Sequence, residues 1–592
     1  MKSYRFYLVV LLSALFILPA LVVAQDQTWD DVIEEVVGDT AVVLPGFGTL
    51  NTAVDGDTTE TGERVNEDRV YKLKRGAYYF LSGVIRASEY DLVLVGEKDD
   101  PAAPTFPAVV ASGLAEDGDK AASELVRTDD DLTVKNFAMI NYAPNGAQLA
   151  RCTRLTGDST TAIIDNMLIE RTNWQTFAFY GQWHTVIATN SMWKNLGVNL
   201  WNGRALNWDG SGLGIEKLYV ENCSFLNVNG LTIKPWENMT KLLWINHNTF
   251  VNGMRFPLMH REHINSYITN NIYHNMNLYG ESEIEVVTND YDPVPFGDIN
   301  VDTITTRGVL EPWIGDSTAA FYEEAEAERR MLVHNNLWHH SEVFSNLLAT
   351  FETDTTPSGW VEDPWMNSVT LSIFADDETW PHMVNGTLYN EEVMFTNEQT
   401  SRDSMMAYMM DQKTGAPELT MYHWDPDGDP LAVAWPPVED LSYSNANLLD
   451  AAYGDLPLGD LNWFPAEKQA WMAIKDQETA DFESMVQNGS TGVEDKVASP
   501  REFDLKQNYP NPFNPNTTIE FNLTKVNDVE LGVYNMLGQK VKTLVNEQKI
   551  AGTHRVQWDG TNSFGQKVVS GVYFYKLKAG DHTQTMKMML IK

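Results

Sequence analysis

Between residues 180 and 263 a set of basic and aromatic side chains recurs at alternating positions: Tyr180, Asn199, Trp201, Thr232, Lys234 and Arg255, with Trp236, His260, Arg261, Glu262 and His263 just beyond. Alternation of this kind puts every second residue of a strand on one face. Guanidinium and ammonium groups beside flat rings suit an anionic sugar, the charges meeting a carboxylate and the rings a sugar face. Tyr180, Trp201, Trp236 and Arg261 are the candidate substrate contacts, and Lys234, Arg255 and His260 are the bases that could remove a proton beside a carboxylate. A structural account stays open: Lys234 and Arg255 neutralise acidic surface, and the tryptophans pack under loops.

A second cluster, Asp425-Pro426-Asp427-Gly428-Asp429, sets carboxylates at alternating positions around a turn glycine, as oxygen-rich calcium loops do. It lacks the EF-hand pattern, with Pro430 and Pro436 at the sixth and twelfth positions, so a solvated acidic turn is the alternative to a structural calcium ion. His339-His340 has no third ligand at recognisable spacing. The run Met405-Met406-Ala407-Tyr408-Met409-Met410 reads as a short buried helix rather than a metal site. Glu323–Arg330 reads as a solvated helix.

The elements that would carry these residues repeat. From residue 132 to 338 one phrase recurs, apolar-x-apolar-x-Asn followed by an apolar or aromatic residue three positions later. Its copies centre on Asn136, Asn166, Asn190, Asn222, His247, Asn270 and Asn335. A strand stacked on its equivalent in the next coil, about 4.8 Å away, explains the recurrence. An amide at an inward-facing bend would bond its own turn and the amide above it. A second strand of each coil would turn Phe177/Phe179, Val198/Leu200, Leu231/Ile233 and Met254/Phe256/Leu258 inward. The fold class expected is therefore all-β: a right-handed parallel β-helix, followed by a small C-terminal β-sandwich.

With that architecture the chain resembles the pectate-lyase-like superfamily. Gly76–Gly83, Leu92–Glu97 and Pro107–Val110 look like its opening coils, and Asp455–Trp463 looks like the closing phrase of secreted bacterial β-helix proteins. The resemblance implies a fold more than a chemistry. The Arg-x-Pro-x-x-Arg phrase of the lyases is missing. Arg255-Phe256-Pro257-Leu258-Met259-His260-Arg261 comes nearest, with one residue too many, and the Gly-His-Gly phrase of the polygalacturonases is absent.

The two ends concern destination. Lys2 and Arg5, the apolar run Tyr7–Val23 and Ala24 read as a secretory signal peptide. From Gln507 the elements Asn508–Pro515, Val533-Tyr534-Asn535, Trp558-Asp559-Gly560 and Ser570–Tyr575 resemble the C-terminal sorting domain of type IX secretion cargo. That resemblance implies the type IX machinery as a partner and an extracellular or outer-surface location. No later segment is apolar enough to span a bilayer. The organisation expected is signal peptide 1–24, lead-in 25–64, β-helix 65–480 with an insertion at about 280–329, linker 481–505 and sorting domain 506–592.

The net charge of −40 over 592 residues repels a polyanion and excludes nucleic acid as a partner. Two cysteines, Cys152 and Cys223, make no disulfide framework, and whether they pair stays open. The functions that fit are a secreted protein binding extracellular polysaccharide, a lyase or hydrolase acting on acidic glycans, and a non-catalytic structural or adhesive surface protein.

Overall fold

The computed structural model describes residues 27–100, 102–197, 202–209, 214–236, 238–260, 263–278, 281–282, 329–351, 360–361, 365–366, 368–398, 402–413, 431–488, 504–508, 511–513, 515–523, 527–536, 538–549, 552–564, 566–580 and 582–591. The chain forms two compact units, Met1–Asn385 with Glu392–Gly492, and Gly386–Glu391 with Val493–Lys592.

The first unit is a parallel β-helix with three sheets. The long sheet opens with the antiparallel pair Ile33–Val37 and Thr40–Val43 and then adds one parallel strand per coil, ending at Met383–Asn385. A second sheet gains a strand from each coil, from Gly46–Phe47 to Asn336–His339. The third runs from Ile85–Ala87 through Glu124–Thr128, Arg151–Leu155, Gln175–Phe179, Arg204–Trp208 and Ile233–Trp236 to Leu258–His260. The helix begins before residue 65, since Thr40–Val43 already pairs in parallel with Val70–Leu73.

The recurring bend residue joins the long sheet to the second. Asn136, Asn166, Asn190, Asn222, His247, Asn270 and Asn335 all have φ between 51° and 62°. Asn tolerates this left-handed region better than most side chains, because its short amide can bond locally. The column of bends is therefore real and its amides bond along it, as Asn335 Nδ2 does to Asn270 Oδ1 at 3.4 Å, but they face away from the core, the buried Asn270 towards Glu478 of the helix Pro465–Asn488. Asn166 is exposed and donates to Asn136 Oδ1 at 2.9 Å. The buried ladder lies one residue later. Asn248 Nδ2 donates to Asn271 Oδ1 at 3.0 Å, and Asn271 Nδ2 donates to Asn336 Oδ1 at 3.0 Å, all three residues being 0% exposed.

Three positions after the bends, Trp193, Phe225, Phe250 and Tyr273 stack through successive coils with centroids 4.7–5.0 Å apart. The rings repeat at the coil spacing, so each buries both faces at little cost in geometry.

The chain returns over two of the three sheets. Residues 431–463 cross the second sheet, where Leu441 packs on Leu226 and Val251, and Lys194 pairs with Glu439 at 3.1 Å. The helix Pro465–Asn488 lies on the long sheet, its Phe482 and Val486 against Trp244, Tyr267 and Leu332. It continues past 481, so the segment expected as linker starts inside a docked helix. Its Glu478 is fully buried, accepting from Asn246 Nδ2 (3.2 Å), Asn270 Nδ2 (2.9 Å) and Trp471 Nε1 (2.9 Å), with His247 Nε2 at 3.3 Å.

The Met-rich run lies in the helix Arg402–Lys413, with Met405, Tyr408 and Met409 buried beside Met254, Leu278 and Phe344. Cys152 and Cys223 are unpaired and buried, and burial pushes both thiols up.

The second unit has a three-stranded sheet, Asp504–Leu505, Thr517–Leu523 and Gly552–Trp558, and a four-stranded sheet formed by Lys540–Lys549, Asn527–Tyr534, Gly571–Ala579 and His582–Leu590. Alternate residues Tyr573, Tyr575, Leu577 and Ala579 join Phe521, Leu531 and Trp558 in its own core.

Candidate functional site

The outward face of the third sheet collects charge. Its registers stack Ile85, Val126, Thr153, Phe177, Leu206, Ile233 and Leu258 in one buried column. The neighbouring position of each strand points away from that core. It forms the column Arg86, Arg127, Arg154, Ala178, Asn207 and Lys234. Arg86 is exposed, and Arg127, Arg154 and Lys234 are half-buried.

Two carboxylates organise the cations. Glu124, 1% exposed, accepts from Arg127 Nε at 2.5 Å and lies 3.0 Å from an Arg154 guanidinium nitrogen. Asp209 accepts from Tyr180 Oη at 2.7 Å and Gln175 Nε2 at 3.3 Å, and Arg151 approaches to 4.0 Å. Burial works to raise the Asp209 pKa, but the two hydrogen bonds and the charges of Lys234 and Arg204 outweigh it and hold the carboxyl low. Tyr180 is pushed up, first by burial and then by Asp209. Arg204 donates to Asn207 Oδ1 (3.0 Å), and Asn207 Nδ2 donates to Gln175 Oε1 (2.6 Å), so the network is continuous across three strands.

Aromatic rings interleave with these charges. Arg151 lies 4.2 Å over the Trp174 ring and 5.9 Å from that of Tyr180, and Arg154 lies 5.4 Å from Tyr180. Such layering holds each guanidinium flat while leaving its edge for an oxygen ligand. The Nε atoms of Arg151 and Arg154 are buried without a hydrogen-bond partner.

Of the residues expected from sequence, Tyr180 and Lys234 meet through Asp209. Arg255 does not join them. It is 1% exposed, 5.8 Å from the Phe256 ring, in a coil where neighbouring Met254 packs under Phe344 and Met405. It sits in the turn before Leu258–His260, not on the strand, so the expected outward alternation does not apply to it. Trp236 and His260 are in register on adjacent strands. Trp201, Arg261, Asp425, Asp427 and Asp429 lie outside the described residues. Val198 and Leu200 also lie outside them, and the strand of that coil is Arg204–Trp208, with Leu206 and Trp208 inward.

Arg86, Arg127, Arg151, Arg154, Trp174 and Arg204 were not expected from sequence. Their signal was the spacing Glu124-x-x-Arg127 and Arg151-x-x-Arg154 on consecutive coils. Among the described residues, no group of three or more His, Cys, Asp or Glu side chains is placed to hold a metal ion. His339 and His340 are buried, His339 stacked on His274 at 5.6 Å and His340 Nε2 2.6 Å from the Met276 carbonyl. No described helix is long and apolar enough to cross a membrane.

The class of protein so defined is a parallel β-helix with a cation-rich sheet face, followed in the chain by a small β-sandwich. Residues 514–582 match the family described as FlgD Ig-like domain. Two solved structures from Porphyromonas gingivalis show local similarity. Dimeric latent PorU is 19% identical over 17% of this chain and 10% of its own, with a TM-score of 0.14. PorZ, described as an essential bacterial surface component of the type-IX secretion system, is 18% identical over 17% of this chain and 13% of its own, with a TM-score of 0.13. No curated protein matches the chain.

Proposed function

We propose that this is a secreted or cell-surface β-helix protein that binds an acidic extracellular polysaccharide along the third sheet. The observation that carries the reading is the column Arg86, Arg127, Arg154 and Lys234 with its flanking Arg151, Arg204, Trp174 and Tyr180, on a chain whose net charge is −40. Arg86, Arg127 and Arg154 repeat at the coil spacing of about 4.8 Å, close to the rise of one sugar along an extended glycan, and Lys234 stands three coils further on, beyond the buried Ala178 and Asn207. Segments of the chain cover the other two sheets. The type IX sorting role of the C-terminal domain rests on its sequence resemblance, and the signal peptide agrees with it. The pectate-lyase-like relationship rests likewise on the coil phrases.

Affinity electrophoresis against uronate, sulfated and neutral glycans tests the reading. Retardation by an acidic glycan alone, weakened about tenfold or more by Lys234→Ala or Trp174→Ala, is the expected result. Equal retardation by neutral glycans, or none by any, refutes it. Release of unsaturated ultraviolet-absorbing products, lost in Lys234→Ala, would instead establish a lyase.

A further inference from the structure

The C-terminal domain gathers the most exposed apolar side chains of the described residues at one end. Phe564, Val569 and Met536 are 87%, 74% and 70% exposed, above every other large hydrophobic residue described, and Ile591 and Met589 follow at 48% and 40%. Met536 tips the turn between Asn527–Tyr534 and Lys540–Lys549, closed where Asn535 N–H donates to the Gln539 carbonyl at 3.0 Å. Phe564 tips the loop after Gly552–Trp558. That loop is tied to the same end by Ser563 N–H to the Val541 carbonyl (3.0 Å) and by Lys542 Nζ to Asp559 (3.0 Å) and Thr561 (2.9 Å). Val569 leads into Gly571–Ala579, whose first two residues pair with Leu590 and Met589, while Phe574 pairs with Tyr534 at the base of the Met536 turn.

Met536, Phe564 and Val569 lie outside the domain's core, which is built around Phe521, Trp558 and Tyr575. Charge sets the same region apart. Residues 504–592 hold 11 Lys and Arg against 7 Asp and Glu, whereas the whole chain holds 42 against 82. Lys567 is exposed on the Phe564 loop; Lys540, exposed beside the Met536 turn, pairs with Glu530, and the half-exposed Lys542 pairs with Asp559.

We propose that this end of the C-terminal domain docks on an anionic lipid surface. Met536, Phe564 and Val569 would enter the headgroup–acyl boundary, Lys567 would meet lipid phosphates, and the surface-exposed Lys540 would exchange Glu530 for them. Single apolar tips on separate turns, interspersed with lysine, fit a fluid interface, which demands no complementary shape. A protein partner would call for one contiguous apolar patch with paired polar groups.

The test is flotation of the full chain with phosphatidylcholine vesicles, with or without phosphatidylglycerol. Binding is expected only to the anionic vesicles, falling as salt rises. Met536→Ser/Phe564→Ser/Val569→Ser should bind at least about tenfold more weakly with an unchanged melting temperature. Lys567→Glu should weaken binding further at low salt than at high. Phe564→Trp should bind and show a blue-shifted emission on the vesicles. Wild-type protein that fails to float with anionic vesicles overturns the proposal, as does a triple variant that binds equally well. Retention on outer membranes but not on vesicles of their extracted lipids also overturns it, pointing to a protein receptor.

Discussion

Replacing Asn271 by Ala probes the interior amide ladder directly. Asn271 Oδ1 accepts from the Asn248 backbone N–H (2.9 Å) and Asn248 Nδ2 (3.0 Å), while its Nδ2 donates to the Ile245 carbonyl (2.8 Å) and Asn336 Oδ1 (3.0 Å). Asn248 Nδ2 keeps the carbonyls of Val220 and Asn246, and Asn336 Oδ1 keeps the Asn271 backbone N–H. One group is left without a partner, the Asn248 N–H, while the Ile245 carbonyl, mid-strand in the parallel pairing with His263–Thr269, keeps its backbone donor. A buried polar group left unmet costs about 1–3 kcal/mol, and the amides flanking the gap are 0% exposed. Adding about 1 kcal/mol for each of the two lost amide–amide bonds, to Asn248 and Asn336, the expected destabilisation is about 3–5 kcal/mol. In a unit this long, each kcal/mol moves the melting midpoint by only about 1 °C, so local hydrogen exchange is the sharper assay. Amides of the coils around Asn248 and Asn336 should exchange about 100-fold faster or more, while those near Val43 stay unchanged. Wild-type protection around Asn248 would show that the ladder contributes nothing, and the argument from unmet buried groups would fail.

The bend column should behave differently: Asn166→Gly should be nearly neutral, while Asn166→Val should cost about 1–2 kcal/mol, because φ 53° strains a β-branched residue. Equal melting of the two variants would refute that. Glu478→Ala strips the shared acceptor from Asn246, Asn270 and Trp471 and should cost about 3 kcal/mol or more, with faster proteolysis within 465–488. A proteolysis rate unchanged from wild type would count against the docked carboxylate. Burial lowers His184 and His334 to about 4 and His274 to about 3, from an ordinary 6.5. The unfolded chain therefore binds more protons between those limits, so this stability is complete above about pH 6.5 and is lost as pH falls towards 4 and below. Melting temperatures that rise on acidification from pH 7 to 4.5 would contradict it.

The period of two and the recurring bend were enough to read the coils, because both follow from stacking identical strands. The bend amides bond along their column, but the inward-facing amide is the residue after each bend. The doublets His247-Asn248, Asn270-Asn271 and Asn335-Asn336 carried the information, the first residue supplying the left-handed bend and the second the buried amide. The cation face was only half visible. The third strand follows loops of variable length, so no fixed offset from the bend locates it. Arg204–Trp208 begins 14 residues after Asn190, whereas Ile233–Trp236 begins 11 after Asn222. Arg255 lies in the turn before Leu258–His260 rather than on a strand, so strand alternation does not govern its burial.

The docked helix has a consequence for how the molecule is made. Glu478 and Lys468 reach the coils of Asn270, Asn246 and Asn190, so contacts that bind several rungs arrive only with the final tenth of the body. Solenoids held by neighbour contacts alone tolerate loss of terminal rungs. This one keeps Trp244 and Tyr267 under Phe482, and a chain ending before Pro465 would leave those rings in water. Completeness is thus checked by the molecule itself: shortened products should be degraded or aggregate rather than persist as smaller cylinders.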